Sequence, residues 1–275
     1  MKSKLLAAPH ILWMVIFTVI PLFLVAFYAL STTDGTGRVV FTLGHMAKAF
    51  GADYLGVILD SLRLALISTV ICFILGYPVA YILSTKSYAH MAFLVFLFVL
   101  PMWMNFLLRT YGWLTLLENN GIINTLLSLA GLPKLNLLNN EFAVLLGMVY
   151  NYLPFMILPV YTVLKKIDTS LIEAAQDLGA DNLRVFMKLV FPLSIPGIIS
   201  GVTMVFMPAV TTFVISTLLG GGKTTLIGNL IENQFLIIGD KNFGSALSLI
   251  LMAIILISMG VISIVDKGNE GGALM

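Results

Sequence analysis

The sequence predicts an all-α polytopic membrane protein with six transmembrane helices, and three observations predict it. Apolar residues make up 59% of the 275-residue chain and charged residues only 10%, against about 25% charged in an ordinary soluble domain. The mean hydropathy of +1.03 leaves too little polar side chain to coat a water-facing exterior. Six apolar runs reach the roughly 20 residues that a helix rising ~1.5 Å per residue needs to cross a ~30 Å hydrocarbon core.

The first run, Ile11 to Leu30, follows Lys2 and Lys4 as the apolar part of a signal peptide would. It is too long for one and continues past Pro21, so an uncleaved span is expected. The second, Leu62 to Leu83, holds Cys72, the chain's single cysteine. An internal disulfide or a cysteine-based metal site is thereby excluded, and packing is its expected role. The remaining spans are expected at Met91 to Leu117, Phe142 to Leu164, Ile195 to Leu218 and Phe243 to Val265, in a single transmembrane domain over 1–275. Pro21, Pro78, Pro101, Pro154, Pro159 and Pro208 fall within these runs. Each removes a backbone hydrogen bond and kinks its helix, leaving carbonyls for neighbouring helices to satisfy. Such kinks are either tolerated or hinges of a central pathway. Gly197 and Gly201 form a GxxxG pair, which predicts close approach of another helix.

Charge sets the expected orientation. Lys2, Lys4, Lys86, Lys165, Lys166, Arg184, Lys188 and Lys267 fall in one alternate set of connecting segments. Arg38, Lys48, Lys134, Lys223 and Lys241 fall in the longer opposite set. This asymmetry predicts both termini in the cytoplasm. A net charge of +2 with dispersed lysines excludes a nucleic-acid surface.

The longest segment on the predicted inner side is KKIDTSLIEAAQDLGADNLRVFMKLVFPLSIPG, from Lys165 to Gly197. Ser170 and Glu173 have capping-box spacing, which predicts a helix starting near Leu171. Gly179 stands where a left-handed residue would end it. Asp181 then caps a second helix running to Pro192. Ala174 and Ala175 give the first helix a low surface, while Leu171, Ile172 and Leu178 offer apolar contacts to a partner groove.

EAAQDLG, nine residues and then Leu189-Val190-Phe191-Pro192 resembles the EAA loop of ABC-importer permeases. That pattern reads EAA, three residues, Gly, nine residues, Ile-x-Leu-Pro. Glu173, Ala174, Ala175, Gly179 and Pro192 match it, while Leu189 and Phe191 replace the usual Ile and Leu. The resemblance covers most of the chain. Through LPMWMNFLLRTYGW, NYLPFMILPVY and STLLGGGKTTLIGNLIENQFL, it extends to the polyamine (spermidine/putrescine) importer permeases of the B type. Relatives handling iron or sulfate share the loop and the fold.

The resemblance implies the MetI-like type I importer fold in a bacterial inner membrane. The first span, 11–30, would be peripheral, the transport core would run over about 58–265, and the coupling loop would be 165–192. Glu173, Ala174, Ala175, Asp177, Gly179 and Pro192 would couple to a cytoplasmic ABC ATPase present in two copies. A second homologous permease and an extracytoplasmic substrate-binding protein would complete the assembly. ATP and Mg would be bound by the ATPase. No cofactor is expected in this chain, which is not expected to be an enzyme.

A route for a flexible polycation needs aromatic faces and weak acceptors. Trp103, Tyr111, Trp113, Tyr150 and Tyr152 are candidates, with interfacial anchoring as the alternative reading. Trp103 is preferred, beside Pro101 and Asn105 within the third run. Asp60, Glu118 and Glu141 stand near outer ends rather than mid-span, so a strong internal cation site is not expected. Arg109 either snorkels to the interface or pairs with a carboxylate such as Glu118. GGGKTT at Gly220 to Thr225 is read as a turn, because a Walker A motif needs glycine where Thr217 stands. Ile227, Leu230, Ile231 and Phe235 then recur at helical spacing, predicting an amphipathic helix at the outer interface. His10, His45 and His90 are too dispersed for a metal site, and no Ser/His/Asp grouping suggests catalysis. A stand-alone channel, an ion-coupled carrier or a membrane scaffold would also explain the spans, but the first two have no use for an ATPase-docking loop.

Overall fold

The structure, a computed structural model, describes the backbone of residues 9–35, 37–85 and 89–272 and the side chains of 9–35, 37–85 and 93–262. Lys2, Lys4 and Lys86 and the side chains of Lys267 and His90 lie outside the described residues. The helices are α1 Pro9–Ala29, α2 Gly44–Ala49, α3 Ala52–Thr85, α4 Ala89–Val99, α5 Phe106–Leu117, α6 Ile122–Leu129, α7 Glu141–Leu164 and α8 Thr169–Asp177. They continue with α9 Asn182–Thr211, α10 Val214–Gly220, α11 Ile227–Asn233 and α12 Lys241–Gly272.

Five of these, α1, α3, α7, α9 and α12, are long and apolar enough to cross a membrane among the described residues. The expected third span is not one straight helix. Phe93–Trp103 and Phe106–Leu129 pass as a span only together, bent by 94°. The cause is local. Pro101 lies in a tight 3-10 turn, Leu100–Trp103, and Met104 is extended. Asn105 then opens α5 by accepting from the N–H groups of Leu107 at 2.8 Å and Leu108 at 3.4 Å. A proline followed by a strong N-cap ends one helix and starts another.

The fifth span also departs from expectation. Its helix begins at Asn182, runs unbroken through Pro192 and stops at Thr211. Extended backbone at Thr212 separates it from α10. The helix capped by Asp181 therefore does not stop at Pro192. A wide π turn over Phe186–Val190, closed by the N–H of Phe191 on the carbonyl of Phe186, makes room for the proline ring.

The chain divides into two compact units, Met1–Asp60 with Leu226–Leu256 and Ser61–Thr225 with Ile257–Met275. In the first, strands β1 Ser31–Thr33 and β2 Val39–Phe41 form an antiparallel hairpin in the register Ser31↔Phe41, Thr32↔Val40, Thr33↔Val39. No strand was expected there. Its signal was β-branched Thr32, Thr33, Val39 and Val40 around a turn in which Asp34 accepts the Arg38 N–H and Gly37 adopts φ +80°. Asn242 donates to the carbonyls of Tyr28 and Ser31 at 2.9 and 2.6 Å, and Phe243 meets Tyr54 edge-on at 4.9 Å. The helix expected after the glycine turn is present, but most of its stripe faces inward. Ile227 is buried and Leu230 and Ile231 are half-buried, while Phe235 is exposed together with Leu236, Ile237 and Ile238.

In the second unit α7 and α9 form the principal contact. A Cβ on Gly201 would stand 2.7 Å from the Met156 sulfur, and one on Gly197 would stand 3.0 Å from Val163 and 3.1 Å from the Pro159 carbonyl. The close approach expected of this GxxxG pair is thus realised within the chain. Gly147 lets α10 in equally close, against Ile215 and Leu219. Cys72 is fully buried, 3.8 Å from the Val149 carbonyl. GGGKTT is a turn, with Gly221 at φ +55° and Gly222 at +76°.

Candidate functional site

Helix α8 carries the EAA residues and is fixed at both ends. Its cap is Asp168, not Ser170, because the Asp168 carboxylate accepts the Ser170 N–H at 3.0 Å. A carboxylate at a helix N-terminus gains from the macrodipole as well as from the hydrogen bond, so it displaces the serine two residues on. That N–H, joined by the Ser170 hydroxyl, holds the Asp168 carboxyl below the usual carboxylate range. At the other end Gly179 adopts φ +83°. Its N–H donates to the Gln176 carbonyl at 2.8 Å, and the Ala180 N–H reaches back to the Ala175 carbonyl at 3.1 Å. This is a complete Schellman motif. Gln176 Nε2 donates to Asn182 Oδ1 at 3.0 Å across the corner. Asp181 then caps α9 through the Arg184 N–H at 2.7 Å.

No residue of α8 is buried. Glu173, Ala174, Asp177 and Gly179 are exposed, Ala175 is half-buried, and Pro192 is exposed on α9. Leu171 is exposed as expected, and Leu178 at the corner is 89% exposed. Ile172 is not part of that outer face. It turns inward to line a cavity of about 120 Å³ with Tyr81, Thr85, Leu164 and Val190. Asp177 ends the helix, where a negative charge opposes the macrodipole, so it does not serve α8 itself.

Behind this corner an aromatic cluster ties α9 to α3. Phe186 lies 5.2 Å from Tyr81 and 6.0 Å from Tyr77, and Tyr77 lies 5.6 Å from Phe191. The Tyr77 hydroxyl shares a hydrogen bond with Ser194 at 3.0 Å. These rings offer face and edge packing over a wide area.

The route candidates separate. Trp103 is 79% exposed at the end of the 3-10 turn, edge-on to Phe96 at 6.2 Å. Tyr111 and Tyr150 are exposed, and Tyr150 meets Trp113 edge-on at 5.1 Å. Tyr152 is only 5% exposed and donates to the Pro208 carbonyl at 3.2 Å, near the end of α9. Arg109 takes a partner that was not expected. Its Nη1 donates to the Pro101 carbonyl at 2.7 Å, because the break leaves that carbonyl at a helix C-terminus, where a cation is favoured.

A family model for the binding-protein-dependent transport system inner membrane component matches residues 65–270. This chain belongs to that family. It is 40% identical over 261 residues to the spermidine/putrescine transport system permease protein PotB of Haemophilus influenzae, covering 92% of this chain and 91% of that protein. The Escherichia coli protein of the same name is 39% identical over 243 residues, 87% of this chain and 88% of its own length. In fold the chain resembles a subunit of a bacterial alginate ABC transporter solved with an alginate-bound periplasmic protein. The TM-score is 0.79 at 17% identity, covering 93% and 90% of the two chains. It also resembles a subunit of the MetNI methionine ABC transporter, with a TM-score of 0.57 at 18% identity, covering 78% and 95%. The fold is that of type I ABC-importer permeases, in a family of the inner membrane.

The family's corner is held by residues that the motif does not contain. Asp168, Gln176 and Asn182 sit at cap and post-cap positions, and only Asp168 had a sequence signal, an acid just before a helical run. Arg63 Nη2 pairs with Glu141 at 2.8 Å, three turns into α3 and at the start of α7. An arginine inside an apolar run was the signal for this partnership.

Proposed function

We propose that this chain is the membrane-spanning permease subunit of an ATP-driven importer of polyamines, spermidine or putrescine. The observation that carries the coupling half of this reading is α8, an exposed helix locked at both ends and joined to a long continuous one. The substrate half is supported by the PotB relatives, similar along nine-tenths of the chain.

In this reading both termini are cytoplasmic and α8 sits in a cleft of a cytoplasmic ATPase, present in two copies, which binds ATP and Mg. Glu173, Asp177 and the exposed leucines meet the ATPase, while Ala174 and Ala175 let it approach. Closure of the ATPases pushes α8. The 30-residue α9, roughly 45 Å long at ~1.5 Å per residue, acts as a lever from that corner to the break at Thr212. A second, related permease supplies the other half of the route, and an extracytoplasmic binding protein delivers the cation. Trp103, Tyr111 and Tyr150 offer it ring faces that attract without trapping. Tyr152, turned onto Pro208, belongs to the supporting structure.

The test is reconstitution of the assembled complex in vesicles with labelled spermidine and putrescine. ATP-dependent uptake that requires the binding protein is expected. Uptake of iron or sulfate instead would overturn the substrate, and transport by this chain alone would overturn the coupling.

A further inference from the structure

We infer that Arg109 is a two-position latch. In the present state its guanidinium holds the Pro101 carbonyl, and in the opposite state of the cycle its Nε–H pairs with the amide oxygen of Asn151. The inference rests on the proposed transport reading for the existence of that second state.

Among the described residues, two buried polar atoms of the second unit stand without partners. One is Asn151 Oδ1, on a side chain only 1% exposed in the middle of α7. Its Nδ2 already donates to the Gly147 carbonyl at 2.8 Å. Turning the amide over would only leave the NH₂ unpaired in its place. The other is Arg109 Nε, whose guanidinium is engaged at Nη1 by Pro101. One is an acceptor and the other a donor.

They lie on helices that pack together, α5 and α7. Trp113, one turn beyond Arg109 on α5, meets Tyr150, the neighbour of Asn151 on α7, edge-on at 5.1 Å. Arg109 also stands in the first turn after the break at Met104, where the two halves of the span meet at 94°. A change in that angle moves the guanidinium relative to Pro101 while α7, bonded to α9 through Tyr152 and Pro208, holds Asn151 in place.

A membrane interior offers no water to an unpaired polar group, and burying one is unfavourable. Two complementary orphans on neighbouring helices therefore favour any state that joins them, which biases a two-state equilibrium toward it. The pair contributes to the switch without touching substrate, so both are positioning residues.

The experiment uses the assembled complex carrying Cys72→Ala with the paired substitutions Arg109→Cys and Asn151→Cys, treated with a short bis-methanethiosulfonate crosslinker, because two side chains joined through an arginine head group keep their Cβ atoms beyond disulfide reach. A crosslink is expected with ATP trapped on the partner ATPases and not without nucleotide. Equal crosslinking in both states, or none in either, overturns the latch. Independently, Asn151→Leu is expected to lower maximal ATP-driven uptake about tenfold, the worth of one hydrogen bond to a charged group, with KM unchanged and only a small fall in the unfolding midpoint from the lost hydrogen bond to Gly147. Arg109→Met should do the same, and the double variant should lose no more than either alone. Multiplying losses, or wild-type uptake in Asn151→Leu, overturns the inference. The crosslink needs no transported solute, so a complex that imports no polyamine refutes the substrate reading while leaving the latch to be judged by its own result.

Discussion

The Ala180 N–H donates to the Ala175 carbonyl at 3.1 Å, folding the chain back over Gly179 and setting the angle between α8 and α9. The second alanine of the EAA triplet is thus part of the corner through its backbone, whatever its side chain meets.

Gly179 should be the most sensitive position of this corner. Its φ of +83° costs a residue with a Cβ roughly 1–2 kcal/mol, yet nothing among the described residues lies within 4 Å of where that Cβ would be. Gly179→Val is expected to abolish coupling, Gly179→Ala to weaken it, and Gly179→Asn to be milder than alanine because asparagine tolerates the left-handed region. Stimulated ATPase activity and uptake in vesicles check the order. If asparagine is as harmful as valine, contact with a partner rather than backbone conformation governs the site.

Asp168→Ala should loosen the start of α8. Its folded-state carboxyl titrates below the usual range, so its capping contribution is fully present above about pH 3.9 and is lost as pH falls through the lower folded value. Severalfold faster amide exchange over 169–172 in Asp168→Ala at neutral pH is the expected result. Wild-type protein should show the same only in acid.

Much of this corner is legible in sequence because its causes are local. A left-handed glycine and an Asp181 cap each act through nearby backbone. What sequence misses depends on competition or on space. Ser170 had the right spacing for a cap, but Asp168 is the stronger acceptor and starts the helix earlier. The run from Met91 to Leu117 has the length of a span, yet length says nothing of straightness, and Pro101 with Asn105 bends it. Ile172 has the composition of a docking residue, and only the fold turns it toward Leu164. Arg109 had two sensible partners in sequence, and the break supplied a third.

Adding side chains along the GxxxG seam should separate folding from transport. Gly201→Ala puts a methyl group 2.7 Å from the Met156 sulfur and 3.2 Å from its carbonyl, which should cost about 1–3 kcal/mol as overpacking. Thermal unfolding of the purified protein in detergent should show a lowered midpoint. Tyr152→Phe should also lower it, by the smaller worth of one hydrogen bond, about 0.5–1.5 kcal/mol.

Trp103→Ala is expected to slow uptake severalfold while assembly stays intact, in line with about 0.5–2 kcal/mol for a cation over a ring. Trp103→Phe should retain most of the rate. Wild-type kinetics in both variants would remove Trp103 from the route.

Helix α8 is the proposed joint through which an ATPase drives this membrane body. A photo-crosslinking side chain at Leu178, 89% exposed at the tip of that joint, tests it in the assembled complex. Adducts with the ATPase subunit are expected, at yields that change between nucleotide-free and ATP-bound states. Adducts with the extracytoplasmic binding protein, or none with the ATPase in either state, would contradict it.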